Sequence, residues 1–257
     1  MISLAEHGAD VFVATGPEYP WGGLYGGQIV TQALAAAAAT VEATHRPHSL
    51  RAYFIRPGDA AEPVRYEVDR IRNGKTFSTR RVVARQAVGA ILNLEASFQV
   101  HEPTGSVQTI HCDEVVGPEE LVNDSWSSMF ERRFVPGTDA QGRTRCWFRM
   151  TEALPDDPLL HACALAYMSD DLPTDAVFRV NPLGGPADHE TAFSVSLDHT
   201  LWFHRALRAD DWHLQDVSCH GFTDGRGLAI GHVHTPDGAH AATLAQEILL
   251  RRRRAEG

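Results

Sequence analysis

The chain has 257 residues, of which 43% are hydrophobic and 22% are charged, as expected for a globular protein with a large core. Its 33 acidic and 23 basic residues give a net charge of −10, which opposes binding to the phosphates of nucleic acids. No apolar run approaches the roughly 20 residues of a membrane-spanning helix. The first residues also lack the basic start and apolar core of a secretory signal. We expect a cytoplasmic protein with no membrane span and no nucleic-acid partner.

A buried helix is predicted near the start of the chain. Gly26 and Gly27 precede a run of strong helix formers that continues through an alanine block to Ala39. This run is apolar nearly all round, and a helix of that kind is buried rather than laid on a surface.

Three strands are predicted after this helix. Apolar and charged residues alternate from Val64 to Asp69, and the strand ends at Asn73-Gly74, a strong hairpin signal. The second strand runs from Phe77 to Gln86. The third, from Leu92 to Val100, alternates apolar and polar side chains. The pattern indicates an antiparallel sheet with one buried face.

The second half shows the same kinds of element after a segment, His101 to Val122, that has little periodicity and several glycines and prolines. Two strands are expected on either side of the turn at Pro136-Gly137-Thr138-Asp139. They are followed by another all-round apolar helix that leads into Ser169-Asp170-Asp171. The predicted elements of this half are strands near Met129–Val135 and Arg143–Thr151, a helix at Leu159–Met168, and strands at Phe193–Arg205, Trp212–His220 and Leu228–Leu250, the last broken at Pro236-Asp237-Gly238.

Short sequence matches indicate that the two halves are repeats. Phe54-Ile55-Arg56 recurs as Phe203-His204-Arg205, and Gly89-Ala90 recurs as Gly238-Ala239, both at an offset of 149 residues (203 − 54 and 238 − 89). Each half has one buried helix and about five strands, enough for a sheet to curl around a helix. The sequence therefore predicts an α+β double hotdog. A two-layer sandwich with the helices outside is the alternative, and their lack of charge disfavours it.

The domain prediction follows from this repeat. Residues 1–105 form the N-terminal hotdog repeat, residues 106–122 form a linker, and residues 123–257 form the C-terminal repeat. Four arginines, Arg251–Arg254, are expected to form a solvated, disordered end. An alternative role for them is to attract the phosphates of a ligand.

The chain resembles the acyl-CoA thioesterase II family, whose members are double hotdogs. The similar stretches occur in the family's order and span Tyr25 to Glu247; the His-containing Trp202–Arg205 motif is the specific one. They are Tyr25–Leu34, Tyr53–Asp59, Ala96–Gln99, Ala166–Asp170, Ser196–Arg205 and Gln246-Glu247.

The resemblance implies hydrolysis of acyl-CoA thioesters to a fatty acid and CoA, a role in lipid metabolism, with no covalent intermediate, metal or other cofactor. In that family an aspartate, a threonine or serine, and a glutamine hold the attacking water. The matching catalytic residues here are Asp170, Ser196 and Gln246, the serine keeping the hydroxyl of the commoner threonine. The substrate partner implied is acyl-CoA, and a homo-oligomer is compatible with these features.

Each candidate residue also has a structural interpretation. Asp170 beside Asp171 is typical of a helix end, and Ser196 is an ordinary strand residue. Gln246 is more informative, because its period-two neighbours are apolar and a buried amide needs partners. At the offset of 149, however, Gln246 matches Ser97, which falls on the polar face of its strand. A bulge or register shift would reconcile the two.

Other chemistries receive less support from the residues. Asp198 and His199 are neighbours in a strand and point to opposite faces, which excludes them as partners in a Ser/His/Asp triad with Ser196. The four cysteines and 14 histidines show no metal-ligand spacing, although His232 and His234 share a strand face. Two functions from other classes stay open: a hotdog enoyl-CoA hydratase, and an acyl-CoA binding protein without catalysis.

Overall fold

The computed structural model describes residues 2–137, 142–180, 183 and 191–253. These residues form three α-helices, thirteen β-strands and a short 3₁₀ helix at Pro118–Glu120. In chain order the elements are β1 (Ala5–Glu6), β2 (Val11–Ala14), α1 (Gly26–Ala38), β3 (His45–Phe54), β4 (Val64–Asn73), β5 (Phe77–Gln86), β6 (Gly89–Val100), β7 (Phe130–Phe134), β8 (Arg143–Met150), α2 (Pro158–Ser169), α3 (Leu172–Arg179), β9 (Ala192–Ser196), β10 (Asp198–Phe203), β11 (His213–Thr223), β12 (Arg226–His234) and β13 (His240–Arg252).

All the strands of this described part belong to one antiparallel sheet. Its order is β1-β2-β4-β5-β6-β3-β10-β13-β12-β11-β8-β7, with β9 also pairing with β13. The two halves of the chain meet where β3 pairs with β10, and Leu50 lies opposite Leu201 in that seam. The halves thus form one continuous sheet, in agreement with the double hotdog predicted from the sequence.

The two long helices lie in the core. Every residue of α1 from Gly27 to Ala37 is buried, as is the second half of α2. The helices pack against each other, with the Thr31 hydroxyl donating to the Cys163 carbonyl oxygen at 2.9 Å. An exposed position for the helices, the sandwich alternative, is therefore wrong. In the described part of the chain, no helix combines the length and the apolar character that a membrane crossing requires.

Several elements differ from the sequence prediction. The pattern did not single out the strands β1, β2 and β3, nor the helix α3, whose mixed polarity and Pro173 obscure a helical period. The strand expected from Phe193 to Arg205 is broken at Leu197, whose N–H donates to the Glu247 carbonyl oxygen between β9 and β10. Of the predicted turn after Pro136, positions 138 and 139 lie outside the described residues.

The arginine-rich end is more ordered than expected. Arg251 and Arg252 continue β13 and lie opposite Phe193 and Ala192 of β9. The prediction of a disordered end is therefore wrong for these two residues, because strand pairing with β9 holds them. Arg254 lies outside the described residues.

Candidate active site

The C-terminal end of α2 meets the N-terminal end of α1. A side chain on Gly26 would place its Cβ 2.5 Å from Asp170 Oδ2, and one on Gly27 would collide with the Tyr167 carbonyl oxygen. Glycines at both positions therefore allow the two helix ends to touch. The contact brings the Gly27 N–H to the Asp170 carboxylate as a hydrogen-bond donor.

The two neighbouring aspartates at this junction have different surroundings. Asp171 accepts hydrogen bonds from Arg132 and from the Trp126 indole N–H, both at 2.7 Å, so its charge is paired. Asp170 is 5% exposed and receives its hydrogen bonds from neutral groups. It also caps the C-terminal end of α2, where the helix dipole disfavours a negative charge. The structural interpretation of Asp170 as a helix end is therefore correct, while Asp171 is the one of the two held by an ion pair.

Ser196 and Gln246 reach Asp170 from the sheet. Ser196 is the last residue of β9 and lies opposite Ile248 of β13, so Gln246 is two positions away on the same face. The fully buried Gln246 donates from Nε2 to Ser196 Oγ at 2.7 Å. Ser196 in turn donates to Asp170 Oδ1 at 3.3 Å. The three residues named from the sequence are therefore linked by hydrogen bonds.

Two further residues, not anticipated from the sequence, extend this series. His199 is fully buried, with Nδ1 2.6 Å from Gln246 Oε1 and Nε2 2.9 Å from Ser169 Oγ. The strand is interrupted at Leu197, between Ser196 and His199. The alternation of side chains restarts after this break, so both residues face inward. Asp198 points elsewhere, accepting from the Glu247 N–H at 2.7 Å, as the alternation predicts. The sequence feature that could have identified His199 as an inward-facing residue is its period-two spacing with Leu201 and Phe203.

Burial shifts the pKa values of both titratable groups in the series. Removal from water raises the pKa of Asp170 to about 7, against the opposing effect of hydrogen bonds from Ser196, Gly27 and Gln246. Burial likewise lowers the pKa of His199 to about 4, although its hydrogen bond with Gln246 opposes the shift. Near neutral pH the imidazole is therefore uncharged, while Asp170 is divided between its two protonation states.

The strand register settles which residue of the first half corresponds to Gln246. Thr200 lies opposite Ala245, but Arg51, its counterpart at the offset of 149, lies opposite Glu95. The offset between β6 and β13 is therefore 150, and the residue equivalent to Gln246 is Ala96. The match to Ser97 is wrong by one residue.

Ala96 is buried, like Gln246, whereas the Ser97 hydroxyl is hydrogen-bonded to His48 Nε2 at 2.8 Å. Pro47 lies opposite Phe98, and Ser196 lies opposite Ile248, which matches Phe98 at the offset of 150. Pro47 is therefore the equivalent of Ser196. The first half thus offers an alanine and a proline where the second half has an amide and a hydroxyl.

His232, His234 and His240 form a cluster of their own on β12 and β13. His232 Nδ1 is 3.2 Å from His240 Nε2, and the His232 and His234 rings are 6.4 Å apart. Among the residues that the structure describes, no group of three or more His, Cys, Asp or Glu side chains is arranged to hold a metal.

Two family models together match most of the chain. The acyl-CoA thioesterase N-terminal domain matches residues 16–99, and the acyl-CoA thioesterase C-terminal domain matches residues 109–250. The second match contains Asp170, Ser196 and Gln246. The resemblance identified from the sequence motifs is therefore confirmed.

Named relatives agree with these models. The chain is 33% identical to acyl-coenzyme A thioesterase 8 of Homo sapiens, over 89% of this chain and 80% of that protein. It is 30% identical to acyl-CoA thioesterase 2 of Haemophilus influenzae, over 89% and 87%. The crystal structure of acyl-CoA thioesterase II TesB2 from Mycobacterium marinum has a TM-score of 0.85 and 34% identity, covering 100% of this chain and 97% of that one. The chain therefore belongs to the acyl-CoA thioesterase family and is a thioester hydrolase.

Proposed function

We propose that the protein hydrolyses acyl-CoA to a fatty acid and CoA, using a water held by Asp170, Ser196 and Gln246. The observation that carries this proposal is the hydrogen-bonded series from Gln246 through Ser196 to a buried carboxyl group. The acyl-CoA thioesterase relatives support the substrate class. This activity belongs to lipid metabolism, and a cytoplasmic location stays a prediction from the sequence.

Asp170 is suited to act as the general base. A base works best when its pKa lies near the operating pH, and burial raises the pKa of Asp170 to about 7. The carbonyl carbon of a thioester is already electrophilic, so the attacking water needs orientation and loss of one proton rather than replacement by a stronger nucleophile. In the proposed step, Asp170 takes that proton while the water oxygen bonds to the carbonyl carbon and the C=O π pair moves onto the carbonyl oxygen. Collapse of this oxyanion breaks the C–S bond, and the departing CoA thiolate takes the proton back from Asp170.

Ser196 and Gln246 orient the water. The 3.3 Å separation between Ser196 Oγ and Asp170 Oδ1 is long for an O–H···O hydrogen bond, so Asp170 keeps acceptor capacity for a water beside Ser196. A hydroxyl and an amide each offer both donors and acceptors, which fixes the direction of the water's lone pair.

We also propose that the N-terminus of α1 stabilises negative charge in the transition state. Its Gly27 N–H donates to Asp170, so the positive end of the helix dipole lies beside the proposed base, where it favours negative charge.

We further propose the division into repeats at residues 1–105 and 123–257, joined by the linker 106–122. Two hydrogen bonds attach this linker to the second repeat. Gln108 donates to the Gly238 carbonyl oxygen at 3.0 Å, and the Trp147 indole donates to the Val116 carbonyl oxygen at 2.9 Å. The first repeat contributes the α1 end and no water-holding residues of its own.

Release of free thiol from acyl-CoA by the purified protein tests the proposal. We expect CoA to appear in equal amount to free fatty acid, across short, medium and long saturated chains. An enoyl-CoA substrate is the matched probe for a hydratase, which consumes the double bond without releasing thiol. Binding of acyl-CoA with neither reaction would instead identify a binding protein and refute the proposed hydrolysis.

A further inference from the structure

The Gln246 side chain must face one way for the proposed chemistry to work. Its Nε2 lies 2.7 Å from Ser196 Oγ and its Oε1 lies 2.6 Å from His199 Nδ1. The two ends of an amide have nearly the same shape, so packing alone does not choose between them. The choice depends on the hydrogen-bonding partner at the far end, which is His199.

His199 can make that choice because it is neutral and fully enclosed. A neutral imidazole has one N–H donor and one lone-pair acceptor, and which nitrogen carries the proton follows from its partners. Since Gln246 directs its carbonyl oxygen at Nδ1, that nitrogen must carry the proton. Nε2 must then accept, and the Ser169 hydroxyl at 2.9 Å is the donor available to it.

The Ser169 hydroxyl has a competing acceptor, the Ala166 carbonyl oxygen at 3.2 Å. The His199 nitrogen is nearer, and losing its donor would leave a buried lone pair unsatisfied. With the Ser169 proton assigned to His199, four hydrogen bonds run in one direction from Ser169 through His199, Gln246 and Ser196 to Asp170. Ser169 and Asp170 are adjacent in the chain, so the series forms a closed loop of side chains.

We propose that His199 is a positioning residue that fixes the direction of the Gln246 amide and thereby points the Ser196 hydroxyl at Asp170. This inference rests on the proposed function for its kinetic consequence, although the hydrogen-bond direction itself does not. His199 contacts Gln246 and Ser169 rather than the carboxyl group proposed as the base, and so acts through Gln246.

The opposite tautomer of His199 would reverse the orientation of the Gln246 amide. With the proton on Nε2, the Nδ1 lone pair would face Gln246 Oε1 and repel it. The amide would then turn its N–H₂ group to His199 and its oxygen to Ser196. The Ser196 hydroxyl would donate to that oxygen, and Asp170 would lose a donor that holds its carboxylate and the bound water.

Nitrogen NMR of ¹⁵N-histidine-labelled wild-type protein tests the direction without any assay of activity. We expect the His199 ring, assigned by its disappearance in a His199→Asn variant, to be neutral with the proton on Nδ1 at pH 7. A neutral ring protonated on Nε2, or a charged ring, would overturn the inference. This readout stands even if the wild-type protein releases no thiol from acyl-CoA, a result that would refute only the proposed function.

Kinetics of two variants then test the consequence. His199→Leu removes both ring nitrogens, and we expect kcat to fall by about tenfold to a hundredfold, the scale of a mispositioned catalytic group, with KM within about twofold. His199→Asn keeps an N–H donor near the Nδ1 position and should recover most of that loss. The matched control is His213→Leu, which removes a second buried histidine whose Nδ1 lies 3.4 Å from the Asp211 carbonyl oxygen.

The pH profile separates positioning from a general structural effect. Loss of one hydrogen bond to a carboxylate should move the acid limb of kcat/KM up by about one pH unit in His199→Leu, because Asp170 then holds its proton more tightly. Asp171 and Tyr25, the other titratable groups facing Asp170, are unchanged by the substitution. An unmoved acid limb, or a kcat equal to that of the His213→Leu control, would refute the role. If His199→Leu does not fold, the kinetics of His199→Asn and the His199 tautomer measured by NMR test the positioning role instead.

Discussion

Replacement of Asp170 by Asn should impair catalysis and stabilise the fold. Asn has the same shape and can still accept a hydrogen bond from the Gly27 N–H, but it cannot take a proton from water. Loss of a general base typically costs 10²-fold to 10⁴-fold in rate, so we expect kcat to fall by at least about 10²-fold. The loss should appear in kcat rather than KM, because the proton transfer occurs only in the reaction step.

The gain in stability follows from the cost of burying the carboxylate. Burial raises the pKa of Asp170 from 3.8 to about 7, and each pKa unit corresponds to 1.36 kcal/mol, so ionised Asp170 destabilises the fold by ~4 kcal/mol. This is an upper limit for the benefit of Asn, whose amide group also needs partners. A gain of about 1 to 3 kcal/mol at pH 8 is expected.

The pH dependence has a definite sign. The folded-state pKa is higher than the unfolded-state value, so the folded protein binds more protons between about pH 4 and pH 7, and this group's stabilising contribution is lost as the pH rises through that range. The Asp170→Asn variant lacks this pH-dependent contribution to stability. Urea denaturation of the two proteins should therefore show a difference at pH 8 that shrinks toward pH 4.

Asp175→Asn is the matched control, because burial also raises the pKa of that carboxyl to about 7 but it lies on α3, outside the hydrogen-bonded series. It should gain stability at pH 8 while kcat stays within about twofold of the wild type. Near-wild-type turnover by a correctly folded Asp170→Asn protein would refute the assignment of the base. A variant that is less stable than the wild type at pH 8 would refute the burial argument.

Three other changes follow from the same geometry. Gln246→Glu should lower kcat and move the acid limb of the pH profile upward, since it puts a second carboxylate near Asp170 and removes two N–H donors; an unchanged profile would contradict this. Ser97→Ala should leave kcat within about twofold, whereas Gln246→Ala should lower it at least about tenfold; equal losses would refute a single site in the second half. Gly27→Ala should destabilise the protein by about 1–3 kcal/mol in urea denaturation, because its Cβ meets the Tyr167 backbone, while Gly105→Ala, with open space around it, should be neutral.

Much of the architecture was predictable because it depends on local pattern. The absence of charge around α1 and α2 predicted buried helices, and alternation with Asn73-Gly74 predicted the β4–β5 hairpin. The resemblance to the acyl-CoA thioesterase II family, rather than these patterns, named Asp170, Ser196 and Gln246. None of these inferences required knowledge of which strands are neighbours.

The remaining features depend on contacts between distant parts of the chain. The one-residue difference in register between the repeats moves the equivalent of Gln246 from Ser97 to Ala96, and only strand pairing reveals it. The break at Leu197 likewise turns Ser196 and His199 to the same side, although a continuous strand would place them on opposite faces.

The sequence by itself determined the fold class, the repeats and the types of side chain available for chemistry, because these follow from periodicity and from motifs within single elements. Only the tertiary structure decided how those side chains are connected. Ser169, Ser196, His199 and Gln246 come from α2, β9, β10 and β13, and their hydrogen bonds form when the sheet closes around the helices. The raised pKa of Asp170 has the same origin, since desolvation arises from the packing of all these elements rather than from its neighbours in the chain.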